Sequence, residues 1–188
     1  MKRQRVLVGV AASVCLAVAG CGPTGSAATK PRGAFNQADA DFVPAMNQLI
    51  SQSTTLAEAA EQRAADPAVR RLATEMKTVQ YPQLDTLIRL GDGIAKQPEL
   101  HVVHDHGDSG SSIPGYLPED DVDRMITLAG KRFDRAFLTL VIRHHDGAIT
   151  VARTERAEGR SPEAKDLAAQ LETTLGQQNS RARQLGAR

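Results

Sequence analysis

Residues 133–155 read FDRAFLTLVIRHHDGAITVARTE. On a 3.6-residue period, Phe133, Phe137, Leu140, Val141, His144, Ala148 and Val151 fall on one stripe, flanked by Leu138, Ile142, His145, Ile149 and Ala152. The pattern predicts a long helix that buries this face. It also sets an adjacent histidine pair, His144 and His145, on or beside that face. Burying an imidazole costs free energy unless a hydrogen-bond partner or a metal satisfies it. The pair therefore needs a function or a partner, and it is the sharpest chemical clue in the chain.

The flanking segments read as further helices. A first helix starts near Asp39 or Asp41, with Pro44 in the first turn of the second option, and ends near Ala65. Asp66-Pro67 is a helix start, with Asp as cap and Pro at the first helical position. The second helix carries Val69, Leu72, Ala73, Met76, Val79, Leu84, Leu87 and Ile88, contains Pro82, and is expected to end at Gly91 and Gly93. Lys96 to Pro118 reads as a long loop, followed by a short helix from about Glu119 to Ala129. The helix with the histidine pair ends at Gly159. Ser161-Pro162 repeats the cap-then-proline start, and a last helix runs to about Leu185.

The two halves repeat. A shift of 95 residues puts Phe42 on Phe137, Ala57 on Ala152, Asp66-Pro67 on Ser161-Pro162, Leu72-Ala73 on Leu167-Ala168 and Gln83 on Gln178. The same shift puts Leu49-Ile50 on His144-His145, which supports burial of the pair and leaves the first half without matching ligands. The predicted fold is all-α: a four-helix bundle of two duplicated hairpins, over residues 35–188.

The N-terminus sets the expected address. Lys2, Arg3 and Arg5 precede an apolar run from Val6 to Ala19, too short to span a bilayer, and residues 1–20 read as a secretory signal peptide. Val-Ala-Gly-Cys resembles the bacterial lipobox, which implies cleavage before Cys21 and a lipid anchor on its sulfur at the outer face of the cell membrane. Residues 21–34 then form a flexible tether. Cys15 leaves with the signal, so the mature chain has no free thiol for a disulfide or a thiolate site. The chain holds 23 Lys and Arg against 22 Asp and Glu. Loss of the three signal cations leaves it near neutral, which points away from nucleic acid. Nothing in the residues names a protein partner.

The segment PGYLPEDDVDRMITLAGKRFDRAFLTLVIRHHDGAITVA resembles the second half of the "domain of unknown function 305" family. That resemblance implies a ferritin-like four-helix bundle in a secreted or periplasmic protein, with copper or silver binding in some members. The family hallmark is a His-His pair in each half, in the form Met-Ile-x-His-His-x-x-Ala-Ile. Carried across, it marks His144 and His145, with Phe133 and Asp134 from the Phe-Asp-x-x-Phe motif. The chain departs from the family pattern at four places. The first pair is Leu49-Ile50. The methionines around the second pair are Val141 and Val151. The late carboxylates are Gln83 and Gln178, and a glutamine kept as Gln80 is Leu175 in the second half. Missing thioethers weaken a soft copper(I) site, and missing carboxylates argue against a di-iron centre.

Adjacent helical residues point about 100° apart, so His144 and His145 need a third ligand to hold one ion. Asp134 lies about fifteen Å back along the helix, too far to share it. The loop tract His101, His104 and His106, with Asp105 and Asp108, supplies imidazoles suited to copper, zinc or nickel. Two readings stand. In one, the pair and the loop capture a transition metal, copper first by resemblance or else zinc, at the cell envelope. In the other, the imidazoles are neutral and hydrogen-bonded, for instance to Gln80, and the bundle is a structural or partner-binding protein whose site has been lost. No phosphate loop or nucleophile elbow is present, so binding rather than catalysis is expected.

Overall fold

The computed structural model describes residues 33–101 and 112–188. The signal segment, most of the tether with Cys21, and His104 and His106 lie outside the described residues. Five helices occur among those described: α1 (Gln37–Arg63), α2 (Pro67–Ile94), α3 (Glu119–Ile126), α4 (Gly130–Glu158) and α5 (Pro162–Gly186). α1 pairs with α2 and α4 with α5; the two hairpins join through α1 against α4 and α2 against α5. This is the expected four-helix bundle, and α3 is the expected short helix of the connection, resting on α1 and α4. Among the described residues, no helix is long and apolar enough to cross a membrane.

Local chemistry explains most helix boundaries. The Asp66 carboxylate accepts the Ala68 N–H at 2.7 Å, and the Ser161 hydroxyl accepts that of Ala164 at 3.3 Å, each followed by proline at the first helical position. Three boundaries differ from the sequence reading. α1 begins at Gln37, because Asn36 and Asp39 form a reciprocal capping box that fixes the start two residues earlier. Pro44 consequently lies inside the helix rather than in its first turn. α2 runs through Gly91 and Gly93 to Ile94, since Leu90 and Ile94 are buried and the Phe35 ring packs directly on the bare Cα of Gly93. α3 stops at Ile126, three residues early, with Thr127 closing it.

The core divides into two apolar clusters. One holds Phe42, Met46, Leu49, Ile50, Leu87, Leu90, Leu171 and Leu175; the other holds Leu56, Leu72, Met76, Phe133, Phe137 and Val141. Along each helix the change from one cluster to the other passes a buried polar group: Ser53 on α1, Gln80 and Gln83 on α2, His144 and His145 on α4, Gln178 and Asn179 on α5. All four bundle helices thus contribute to one polar layer at mid-height.

The duplication is visible in the hydrogen bonds. Asp39, near the start of α1, accepts the main-chain N–H groups of Arg160 (3.1 Å) and Ser161 (2.9 Å) in the α4–α5 turn. Asp134, near the start of α4, accepts those of Ala65 (2.9 Å) and Asp66 (3.0 Å) in the α1–α2 turn. These partners are equivalent under the 95-residue shift, so each hairpin clasps the turn of the other. Lys165 on the Gly159 carbonyl and Arg70 on the Ala64 carbonyl obey the same relation. Replacing Asp134 with Ala leaves two part-buried N–H groups without their charged acceptor. It should cost about 2 kcal/mol, read as a lower midpoint in urea; an unchanged midpoint would refute the clasp.

The clasps differ at Glu155. Its equivalent in the first half is Ala60, yet Glu155 is itself only 1% exposed, and neither carboxyl oxygen has a hydrogen-bond partner. Burial first, and then the Asp39 carboxylate beside it, push its pKa up to about 8, with Lys165 pulling the other way. A raised folded-state pKa favours the protonated form. The stabilisation is therefore complete below the ordinary glutamate range and is lost as pH climbs towards about 8. Glu155→Gln should flatten this decline, so that wild type and variant melting midpoints diverge between pH 5 and 9, with the wild type falling.

Candidate metal centre

The centre of the polar layer is covered by a strap, residues 113–117. Gln52 on α1 grips it twice: its amide N–H donates to the Leu117 carbonyl at 2.9 Å, and its Oε1 accepts the Leu117 N–H at 2.8 Å. Further along, the strap backbone lies directly on the α4 backbone. A Cβ on Gly147 would come within 2.1 Å of the Gly115 nitrogen, and one on Gly115 within 2.4 Å of the His144 carbonyl oxygen. Gly115 also adopts a φ of 87°, which disfavours any other residue. Both positions need glycine, and their contact brings the Gly115 carbonyl to His144.

His144 is held between two main-chain carbonyls, Nδ1 at 2.8 Å from Gly115 O and Nε2 at 3.1 Å from Leu49 O. A neutral imidazole has one N–H and cannot donate to both. Burial pushes the ring towards the neutral form, against the pull of the two carbonyls. The shorter contact assigns the proton to Nδ1, which leaves the Nε2 lone pair facing an oxygen. His145, with its ring centroid 5.8 Å away, is wholly buried, and neither of its nitrogens has a hydrogen-bond partner. Burial pushes its pKa down to about 3, neighbouring His144 adds to the shift, and the Asn179 amide opposes it. It is a neutral ring at any physiological pH.

Both rings line a cavity of about 10 Å³, shared with Met46, Ser53 and Gln80 and closed by apolar side chains. That volume suits one water or one bare ion. Gln80 donates to the Ser53 hydroxyl at 2.6 Å, while its Oε1 is buried and unpartnered. The unpartnered donors around the cavity are thus imidazole nitrogen and amide oxygen, with a thioether beside them, a set suited to a soft or borderline ion. No lining residue is acidic, and no three His, Cys, Asp or Glu side chains gather around a common point among the described residues. The lining fits one soft ion and does not fit a carboxylate-dependent centre.

The candidate residues separate in space. His144 and His145 share the cavity. His101 is exposed, its main chain bonded to the Gln37 side chain at the start of α1. Leu49, which touches His144, is twelve residues further along α1, about 18 Å along the axis, so His101 is remote from the pair. Phe133 is buried and stacks on Phe137 with centroids 6.1 Å apart, and Asp134 serves the hairpin clasp. The expected Gln80–imidazole bond is absent: Gln80 is turned to Ser53, and His144 uses carbonyls from α1 and the strap instead.

The sequence profile described as "Domain of unknown function (DUF305)" matches residues 39–185. The chain belongs to the DUF305 family. Its bundle is similar to that of a DUF305 protein from Streptomyces coelicolor described as secreted, at 25% identity and a TM-score of 0.69 over 79% of this chain and 90% of that one. It is also similar to a DUF305 fragment from Deinococcus radiodurans, at 23% identity and a TM-score of 0.68 over 81% and 97%. A third likeness is to CopM in the Cu(II)-bound form, at 19% identity and a TM-score of 0.66 over 79% and 95%. No curated protein sequence matches the chain.

Within this DUF305 bundle, Met46 was the donor that sequence reasoning passed over. The 95-residue shift puts it on Val141, one of the two positions where the family's methionine is missing, so a thioether lost from one half is present in the other. Its spacing of three, four and seven residues from Leu49, Ile50 and Ser53 puts all four on one face of α1. Gly115 had no comparable signal, since its role depends on a contact with α4. Gly147→Ala should drive the strap off α4 and cost about 2 kcal/mol, with faster proteolysis near residues 113–117. An undisturbed melting curve and cleavage pattern would contradict the close backbone approach.

Proposed function

We propose that this DUF305 protein is an extracytoplasmic lipoprotein, anchored through Cys21, that captures one transition-metal ion, copper first, without turning over a substrate. The observation that carries the reading is His145: a fully buried ring with two unpartnered nitrogens, facing an ion-sized cavity beside Met46 and Gln80. Copper binding by the structurally similar CopM supports it, and a secreted relative supports the location. His145 would supply the imidazole and Met46 the thioether, with Gln80 Oε1 as a further donor. The lining is neutral, and the cost of burying an uncompensated ion rises steeply with its charge. Copper(I) is therefore favoured over copper(II) or zinc at this centre. The tract of His101, His104 and His106, of which His101 is exposed, would be a second capture point for divalent ions.

One observation favours a different reading. Both nitrogens of His144 already meet carbonyl oxygens, and its counterpart across the pseudo-symmetry axis is Leu49. A bundle that has lost half of its imidazoles can persist as a structural or partner-binding protein, with His144 serving to hold the strap.

Thermal unfolding of the full chain with Cu(I), Cu(II) or Zn(II) separates the two. An ion at a hundred times its dissociation constant, bound only to the folded state, adds about 2.7 kcal/mol. The expected result is a rise with Cu(I) that His145→Ala or Met46→Leu removes. Triple replacement of His101, His104 and His106 with Ala should weaken only the response to divalent ions. No rise with any ion, or a rise untouched by His145→Ala, would leave the structural reading.

A further inference from the structure

We infer that the outer face of α2 is a self-association surface, on which two copies of this chain pair antiparallel about a two-fold axis at Tyr81. The pairing needs no metal and does not rest on the function proposed above.

None of the exposed side chains of α1, α4 or α5 is large and apolar. α2 differs. Of the four large apolar side chains exposed among the described residues, Val79, Tyr81 and Ile88 belong to α2 and Tyr116 to the strap. Tyr81 is 54% exposed and Ile88 61%. Single exposed apolar side chains are ordinary, but these two share one stripe of the helix. The duplication supplies a control. Under the 95-residue shift, the places of Tyr81 and Ile88 are taken on α5 by Gly176 and Arg183. The bundle itself therefore requires neither a ring nor a branched apolar chain at these positions.

The rest of the stripe shows what covers it. At helical intervals of three, four and seven residues, Arg71, Thr78, Tyr81, Asp85, Ile88 and Asp92 all lie exposed on the side away from the buried Leu72, Met76 and Leu90. The ends of the stripe carry opposite charge. Arg71 is near the start and Asp92 at the end, and neither side chain has a partner among the described residues. Tyr81 is at the middle, ten residues after Arg71 and eleven before Asp92. A two-fold axis there lays the two Tyr81 rings together. It brings Ile88 to Thr74 of the second copy, and each Arg71 to the Asp92 of the other. Parallel pairing would set Arg71 on Arg71 and Asp92 on Asp92. The charges thus select the antiparallel arrangement, a self-complementary contact that closes at two copies. One helix face is a small interface, so the dimer is reversible, with a dissociation constant on the order of 10 μM.

The test is sedimentation equilibrium of the full chain, free of metal, in density-matched detergent over concentrations on either side of that constant. The wild type should pass from monomer to dimer. Tyr81→Ser and Ile88→Lys should each weaken association about 30-fold. Both positions are exposed, so each variant should keep the wild-type melting midpoint when melted as a dilute monomer. Arg71→Asp or Asp92→Arg alone should weaken association about 10-fold, and the two together should restore it, because the reversed charges meet again across the axis. A monomer throughout overturns the inference and leaves the face to a different protein or a lipid surface. A dimer that Tyr81→Ser and Ile88→Lys leave intact is joined elsewhere and also overturns it. Failure of the double exchange to restore association overturns the antiparallel pairing.

Discussion

Two buried carboxylates hold the two halves of this protein to each other. Asp39 and Asp134 each sit near the start of one hairpin and satisfy the main-chain donors in the turn of the other. A turn between helices leaves N–H groups that water would otherwise have to reach. Here that need is met across the bundle, so neither hairpin completes its own hydrogen bonding alone. α1 and α4 are thereby pinned at both ends and α2 and α5 at their starts, and their registry at mid-height follows.

That registry brings the polar layer together. Ser53, Gln80, His144, His145, Gln178 and Asn179 come from all four long helices. Several of their atoms are unpartnered: both nitrogens of His145 and one oxygen each on Gln80, Gln178 and Asn179. Each such group opposes folding by about 1–3 kcal/mol. An apolar layer like those above and below it would be more stable. The bundle carries this penalty because the clasps and two apolar clusters support it, and a layer so constituted is suited to receive a ligand rather than to hold the fold together.

Much of this could be read in the residues, where the determining chemistry is local. The Asp66-Pro67 and Ser161-Pro162 starts hold because cap and proline act within one turn. Burial of His144 and His145 followed from helical period and from the apolar residues at their repeat positions. The start of α1 was misread because Asn36 and Asp39 cap reciprocally, whereas Asp39 alone looked like a boundary. Gly91 and Gly93 failed to end α2 because Phe35, from outside that helix, fills the space beside Gly93. The strap was illegible for the same reason: Gly115 matters through Gly147, 32 positions away. The duplication held the answer for Met46, once its place opposite Val141 was weighed as a contribution to a shared centre.

The strap also has a kinetic meaning. Gln52 and Gly147 occupy equivalent places in the two halves, and one grips the strap while the other makes room for it. A single connection between two repeats can close only one side of a centre that lies between them. On that side His144 is sealed by backbone against backbone, with no side chain able to swing aside. Traffic through the cavity is then limited by how often the helices part rather than by diffusion to the surface. On the proposed metal-binding reading, exchange with the cavity would be slow and retention of an ion long.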